Sequence, residues 1–162
     1  MGRKQHRPHN GTGKATVQIP RVLKRQNVNH IFVDTNVLIG AWSNKKDDRY
    51  CLQYLFSLNG KELYISSLSV AQLASVFQKK KTNDEIRDIL KELAHRFSIL
   101  DFTKDDIAVS LKETGADIED NIQYVISKKK KCYTFVTNNI KDYRVFGDIQ
   151  VLKPKNIRMI PR

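Results

Sequence analysis

From residue 30 onward, short apolar runs alternate with longer amphipathic stretches. The short runs predict five strands, at residues 30–33, 62–67, 98–102, 132–137 and 149–154. The longer stretches predict helices at residues 47–58, 68–81, 82–97, 103–115 and 117–130, with a loop or short helix at 138–144. Strands that alternate with helices favour an α/β domain with a mostly parallel sheet and helices on both faces.

The ends of several predicted helices carry recognisable signals. Thr82 or Asn83 is expected to cap the helix at 82–97, with Glu85 placed to complete a capping box. Gly115 is expected to follow the end of the helix at 103–115 as its C′ residue. These signals support the boundaries that the periodicity predicts.

The predicted elements begin only at residue 30. Residues 1–29 show little apolar periodicity and are expected to form a basic, flexible N-terminal arm. Residues 30–157 form the predicted domain, and residues 158–162 are expected to be a short basic tail.

Composition suits a single cytoplasmic domain. The chain has 162 residues, contains no run of eighteen apolar residues and lacks an apolar stretch after its basic N-terminus, so neither a membrane partner nor a secretory signal is expected. Cys51 and Cys132 are far apart, without CxxC spacing, and are interpreted as reduced thiols of a cytosolic protein.

Positive charge is concentrated near the N-terminus. The net charge is +12, and residues 1–33 hold seven Lys or Arg and no acid, which leaves +5 for the rest. This balance favours a polyanionic partner, most simply nucleic acid, since binding phosphates releases their counterions. The alternative is that the charge serves only solubility.

Polar side chains stand where predicted strands end. Asp34 directly follows the first strand, and Asn139 and Asp142 follow the fourth. Asp117 and Asp120 open the helix that precedes the fourth strand. Because strand ends and the following helix starts share one edge of a parallel sheet, we expect these side chains to converge.

Converging carboxylates repel one another, and a divalent cation would remove the conflict. Hard oxygen ligands suit Mg²⁺ or Mn²⁺, and no His/Cys cluster suggests zinc. Beside nucleic acid, such an ion favours phosphodiester hydrolysis. Each acid also has a structural interpretation, because Asp34 and Asp117 could cap helices or turns and Asp142 could pair with a surface cation.

Three motifs, taken in order, resemble the PIN domain family of Mg²⁺/Mn²⁺-dependent ribonucleases that includes the VapC toxins. "IFVDTNVLIGAW" is similar to the opening of that domain, and "YISSLSVAQLASVF" fits its next segment. "DIEDNIQYVISKKKKCYTFVTNNIKDY", with its D-x-E-D-x-x-Q-Y pattern, followed by "IQVLKPKNI", resembles the closing half. The resemblance covers residues 30–157 and implies a three-layer α/β/α sandwich with a four- to five-stranded, mostly parallel sheet.

The resemblance also implies roles for individual residues. The catalytic residues would be Asp34, Asp120, Asn139 and Asp142. The metal ligands would be Asp34, Asp120 and Asp117, holding Mg²⁺ or Mn²⁺. Thr35 and Thr137 would orient carboxylates or water. Gln72 stands where the family commonly has Glu, which removes a charge and is expected to weaken metal binding.

The function implied is that of an endoribonuclease, the toxin of a type II toxin–antitoxin pair, with a cognate antitoxin and a homodimeric state expected. One alternative is a catalytically weak or inactive PIN-fold module that binds RNA, which Gln72 and Asn139 favour. Another is a protein-interaction domain that uses the arm.

Basic residues could carry RNA phosphates toward the acids. The candidates are Lys79, Lys80, Lys81, Lys128, Lys129, Lys130 and Lys131, together with Arg21, Lys24 and Arg25 of the arm. The alternative for the two lysine runs is that they are solvated charges favoured at helix C-termini.

Overall fold

The computed structural model describes residues 29–115 and 117–161 and contains a parallel sheet of five strands. The strands are β1 (His30–Val33), β2 (Glu62–Ser66), β3 (Ser98–Leu100), β4 (Thr134–Val136) and β5 (Gln150–Leu152). Their order is β3-β2-β1-β4-β5, and every neighbouring pair is parallel. All five strands lie within the predicted runs, and three of them are shorter by two or three residues.

Helices connect the strands on both faces of the sheet. They are α1 (Thr35–Trp42), α2 (Lys46–Phe56), α3 (Ser67–Phe77), α4 (Asn83–Arg96), α5 (Lys104–Ser110), α6 (Ile118–Lys128), α7 (Ile140–Tyr143) and a 3₁₀ helix (Pro154–Met159). The sequence pattern did not predict α1. Its residues after Asn36 are all apolar or glycine, so no polar face marks a helical period.

Alternation along β1 sends side chains to two separate cores. Ile31 and Val33 pack with residues of α1 to α4 and the 3₁₀ helix on one face. Phe32 packs on the other face with residues of α6 and α7. The predicted three-layer α/β/α architecture is therefore confirmed.

The chain order creates a crevice beside β1. From β1 the chain adds β2 and β3 on one side, then returns to place β4 and β5 on the other. The carboxyl ends of β1 and β4 consequently flank the point where the connections change direction, which is the usual position of a site in an open parallel sheet.

The helix-end predictions have mixed outcomes. Thr82 caps α4, and with Glu85 it forms the complete capping box. The prediction for Gly115 is wrong, because α5 already ends at Ser110. A Cβ at Gly115 would lie 2.0 Å from Oδ1 of Asn121, so close packing explains the glycine.

The packed structure continues beyond the predicted boundary at residue 157. Ile160 is buried, and its carbonyl accepts a hydrogen bond of 2.8 Å from the Tyr54 hydroxyl. At the other end, the predicted arm lies outside the described residues except Asn29, whose carbonyl accepts from the Glu62 amide at 2.7 Å. None of the helices in the described ranges is long and apolar enough to cross a membrane.

Candidate functional site

Asp34 stands at the junction of β1 and α1 and is almost fully buried. Its backbone amide donates to the carbonyl of Val136 at 2.9 Å, which joins it to the end of β4. Its Oδ2 accepts hydrogen bonds from the Thr137 hydroxyl at 2.7 Å and from the Asn36 side-chain amide at 2.6 Å. The carboxylate makes no capping bond to α1, so the capping interpretation does not explain it.

Burial raises the pKa of Asp34 to about 7. The hydrogen bond from Thr137 opposes this shift, and the nearby charge of Asp120 adds to it. Asp34 is therefore an acid whose ionised form lacks a compensating positive charge.

Asn36 and Thr137 connect the two strand ends that flank the crevice. The Thr137 hydroxyl accepts from the Asn139 amide at 2.9 Å while it donates to Asp34. The Oδ1 of Asn36 accepts from the Asn138 amide at 3.1 Å. Thr137 was predicted as a supporting residue, and it contacts Asp34; Asn36 was not predicted as a site residue.

The start of α6 brings further acids to the same edge. Asp117 caps α6, with its Oδ1 accepting from the amides of Glu119 at 2.8 Å and Asp120 at 3.4 Å. Burial raises the pKa of Asp120, and repulsion from Asp117, Asp142 and Glu119 adds to the effect. The capping interpretation of Asp117 is therefore correct, and it coexists with a place beside the other acids.

The residues predicted after β4 also meet the acids. The Asn139 side-chain amide lies 3.5 Å from Oδ2 of Asp120 and donates a second hydrogen bond to Asp142. Asp142 thus contacts the site through Asn139 and contributes repulsion to Asp120.

These side chains surround one open cavity of about 670 Å³, which we call the acidic cavity. It is lined by Asp34, Thr35, Asn36, Ile39, Ala71, Gln72, Ser75, Val76, Asp117, Glu119, Asp120 and Asn139. Four of the lining residues are acids and none is Lys or Arg, so an ionised cavity carries a strongly negative potential.

A network of hydroxyls and amides underlies one wall of the acidic cavity. The amide of Gln123 donates to Thr35 at 3.1 Å and to Ser69 at 3.2 Å, and its carbonyl accepts from Ser66 at 2.8 Å. The Oε1 of Gln72 lies 2.9 Å from the Thr35 hydroxyl. Gln123, Ser66 and Ser69 were not predicted, although Gln123 occupies the Gln of the D-x-E-D-x-x-Q-Y pattern.

Gln72 bridges this network and the acids. Its amide donates to Oε1 of Glu119 at 2.5 Å, on the far side from Thr35. The neutral side chain can therefore approach Glu119, whereas a glutamate there would be repelled.

The donor set fits a hard divalent cation. It consists of carboxylate and amide oxygens, and both Asp34 and Asp120 have raised pKa values that a positive charge would lower. The Tyr143 hydroxyl is buried near Asp120 without a well-formed hydrogen bond to any described residue. Within the described ranges, no group of three or more His, Cys, Asp or Glu side chains is arranged as a metal site.

One predicted RNA-binding run lies away from the acids. Lys128 is the last residue of α6, and Lys129, Lys130 and Lys131 follow it; the Lys130 carbonyl contacts His30 at the start of β1, which is at the amino edge of the sheet. Lys129 pairs with Asp106 at 2.9 Å, and Lys128 pairs with Asp148. The structure does not bring this run to the acidic cavity.

The other candidates have different positions. Lys79, Lys80 and Lys81 follow α3 about one turn beyond Val76, which lines the acidic cavity, and Lys81 lies over the ring of Phe77. Arg21, Lys24 and Arg25 are outside the described residues.

Comparison with known proteins identifies a family and a fold. The PIN domain family model matches residues 31–145. Ribonuclease VapC1 of Aquifex aeolicus (strain VF5) is 30% identical over 134 residues, which cover 78% of this chain and 91% of that protein.

Solved structures share the architecture. VapBC2 from Rickettsia felis, bound to a promoter DNA fragment, matches with a TM-score of 0.60 and 21% identity, covering 76% of this chain and 98% of that one. A toxin–antitoxin complex from Klebsiella pneumoniae matches with a TM-score of 0.59 and 19% identity, covering 76% and 97%. At these identities the structural similarity establishes the fold alone.

Proposed function

The chain belongs to the PIN domain family, and from this we propose that it is a metal-dependent endoribonuclease, acting as the toxin of a toxin–antitoxin pair. The observation that carries the proposal is the acidic cavity. Four acids from two elements meet at the carboxyl edge of the sheet, and the most buried of them, Asp34, has a pKa of about 7. A protein without use for a cation would gain stability by removing them.

Asp34 and Asp120 would hold Mg²⁺ or Mn²⁺, with Asp117 as an auxiliary carboxylate. When bound, such an ion favours ionisation of an attacking water and stabilises charge on the phosphate and leaving oxygens. Thr137 and Asn36 orient Asp34 through its Oδ2, as the hydrogen bonds of 2.7 and 2.6 Å support. Asn139, between Asp120 and Asp142, would orient Asp120.

Gln72 and Thr35 would have supporting roles. Gln72 holds Glu119 at the rim of the acidic cavity, while Thr35 connects the cavity wall to Gln123. Hydrolysis at this site forms a bond between water oxygen and phosphorus and breaks the bond to the 3′-oxygen, which leaves a 5′-phosphate and a 3′-hydroxyl.

The partner that best fits the family is an antitoxin protein. Structurally similar chains come from toxin–antitoxin complexes. An antitoxin arginine entering the acidic cavity would meet carboxylates in the bidentate manner that guanidinium groups favour. We also propose that the chain forms homodimers, as is usual for its family.

The test is cleavage of a mixed, structured RNA pool with Mg²⁺, Mn²⁺ or EDTA. We expect metal-dependent cutting that Asp34→Asn and Asp120→Asn each reduce by about 100-fold or more, because each removes a proposed ligand. Asp88→Asn is the matched control, since Asp88 is exposed on α4, remote from the acidic cavity, and loses the same charge. Cleavage that both site variants retain would contradict the proposed site.

A second candidate function is RNA binding without cleavage. The amides of Gln72 and Asn139 favour it, because they leave fewer charges to hold a cation. Wild-type protein that binds RNA but cuts it with neither ion would support this module, and Gln72→Glu would then test whether a restored carboxylate confers activity.

A further inference from the structure

A second polar cavity, of about 340 Å³, lies at the same edge of the sheet, and we call it the basic cavity. It is lined by Lys45, Lys46, Asp47, Asp48, Asn138, Lys153, Pro154 and Lys155. Four lysines and two aspartates line it, a net charge of +2. Its lysines come from the start of α2 and from the segment after β5, which lie far apart in sequence.

The negative charge of Asp48 is already compensated in this cavity. Asp48 is fully buried, and both of its oxygens accept from the side-chain amide of Asn138, at 3.0 and 3.1 Å. Lys45 lies 3.6 Å from the same carboxylate. By contrast, the exposed ammonium groups of Lys46 and Lys153 form no ion pair with a described residue.

Lys155 is exposed and likewise unpaired within the described ranges. Three ammonium groups therefore line a concave space beside the single exposed carboxylate of Asp47, which forms no ion pair with them, so the space keeps an excess of positive charge. Such a space has the charge and the size to receive a phosphate group.

The basic cavity and the acidic cavity share a wall. Asn36 lines the acidic cavity, and Asn138 lines the basic one. The backbone amide of Asn138 donates to Oδ1 of Asn36 at 3.1 Å, so the two linings are in direct contact. A strand lying along the carboxyl edge of the sheet would pass from one to the other.

The position of the basic cavity affects how RNA would interact with the charges at this edge of the sheet. RNA is a polyanion, and the four carboxylates of the acidic cavity repel it. None of the lysines at 128–131 lines the acidic cavity, and Lys128 and Lys129 are already paired with Asp148 and Asp106. The basic cavity places positive charge beside the acids on the same edge.

We propose that the basic cavity binds a backbone phosphate of the RNA strand, next to the region of the strand that lies against the acidic cavity. This inference rests on the proposed function, because it assumes that RNA is the substrate. It assigns Lys46, Lys153 and Lys155 as phosphate-binding residues that position the strand without reading its sequence.

The test compares two triple variants with equal loss of charge. Lys46→Gln/Lys153→Gln/Lys155→Gln removes the unpaired charges of the basic cavity. Lys91→Gln/Lys104→Gln/Lys112→Gln is the control and removes three exposed charges at positions that line neither cavity. Binding of a fluorescent single-stranded RNA oligonucleotide is measured in EDTA over a series of salt concentrations, so that cleavage does not interfere.

We expect the cavity variant to lower the slope of log Kd against log salt by at least about 0.7, the value for one phosphate contact on a single strand. At 0.1 M salt this corresponds to a Kd about fivefold weaker or more. The control variant should keep a slope close to that of the wild type. Equal slopes for the two variants, or no RNA binding by the wild type, would overturn the inference.

A second arm keeps this result separate from the proposed function. Wild type and cavity variant are also assayed for cleavage with Mn²⁺. Absence of cleavage, with the slope lowered only in the cavity variant, would refute the nuclease and uphold the phosphate site. Cleavage by the wild type, with wild-type slopes in both variants, would uphold the nuclease and refute the phosphate site.

Discussion

At the scale of single residues, Asp34 combines two opposing environments. Thr137 and Asn36 donate hydrogen bonds to its Oδ2, which favours the charged form. Burial and the neighbouring acids favour the neutral form, and they prevail, since the pKa rises to about 7. The metal-free protein therefore retains a proton at Asp34 over a pH range in which an exposed aspartate is ionised.

This shift predicts how Asp34→Asn alters stability with pH in metal-free buffer. The folded pKa of about 7 exceeds the ordinary aspartate value of 3.8, so the folded state binds the proton more tightly. Wild-type stability should then fall as the pH rises from about 4 to about 7. Asp34→Asn should escape this loss, and at pH 8 it should be more stable than the wild type by roughly 2–4 kcal/mol.

Urea denaturation at pH 4 and pH 8, with EDTA present, measures the difference. Near pH 4 the advantage of the variant should largely disappear, because the wild-type carboxyl is then protonated. A variant that is less stable than the wild type at pH 8 would show that Asp34 is structurally required in its charged form.

We expect Gln72→Glu to lower the stability of the metal-free protein and to strengthen its binding of a cation. The substitution replaces the hydrogen bond of 2.5 Å to Glu119 with repulsion between carboxylates. We expect a lower Tm in EDTA and a larger rise of Tm with millimolar Mn²⁺ than the wild type shows. Gln53→Glu on α2 adds the same charge outside the acidic cavity and should leave the Mn²⁺ response unchanged.

At the scale of elements, the contact between α1 and α2 depends on Gly40. A Cβ on Gly40 would lie 1.8 Å from Oδ2 of Asp48 in the first turn of α2. Asp48 in turn holds the side chain of Asn138, which follows β4. One glycine thus allows a helix pair to dock onto the carboxyl edge of the sheet beside both cavities.

Gly40→Ala should therefore destabilise the fold, by about 1–3 kcal/mol, as overpacking of a buried contact does. The sign of this stability change is informative, because replacing glycine with alanine at an unobstructed position inside a helix would stabilise the helix by about 1 kcal/mol. Gly147→Ala is the control, since a Cβ there meets no atom within 4 Å. Thermal or urea unfolding measures the change in stability. A Gly40→Ala variant that is more stable than the wild type would show that α2 can shift away from α1 at little energetic cost.

At the scale of the whole molecule, charge is separated in space. The carboxyl edge of the sheet holds the acidic cavity with the basic cavity beside it. Within the lysine run at 128–131, the Lys130 carbonyl contacts the start of β1 at the amino edge. The predicted arm carries seven of the excess positive charges.

Deleting residues 1–28 should weaken RNA binding and flatten its salt dependence, by up to about 5 in slope if all seven cations contact phosphates. Asn29 is kept because its carbonyl bonds to the amide of Glu62. We expect the Tm to stay close to that of the full chain. A full-length variant with the seven cations replaced by Gln should reproduce the binding loss, and an unfolded truncation would show instead that the arm is structural.

Much of the site could be predicted because strand ends are visible in local sequence. Apolar runs end at Asp34 and Thr137, and parallel strands place such ends at one edge. Other features could not be predicted in this way. Helix α1 lacks a polar face. Ser66, Ser69 and Gln123 are polar residues of three different elements, and the hydrogen bonds of Gln123 to the two serines form only when those elements pack together.

The sequence by itself determined the succession of elements, the family and the acids at the carboxyl edge, because periodicity and motifs are local properties of the chain. Only the tertiary structure decided which loops become neighbours. The order β3-β2-β1-β4-β5 brings Lys153 and Lys155 beside Lys46 and leaves Lys130 at the opposite edge. That outcome depends on packing between distant segments, which no local pattern encodes.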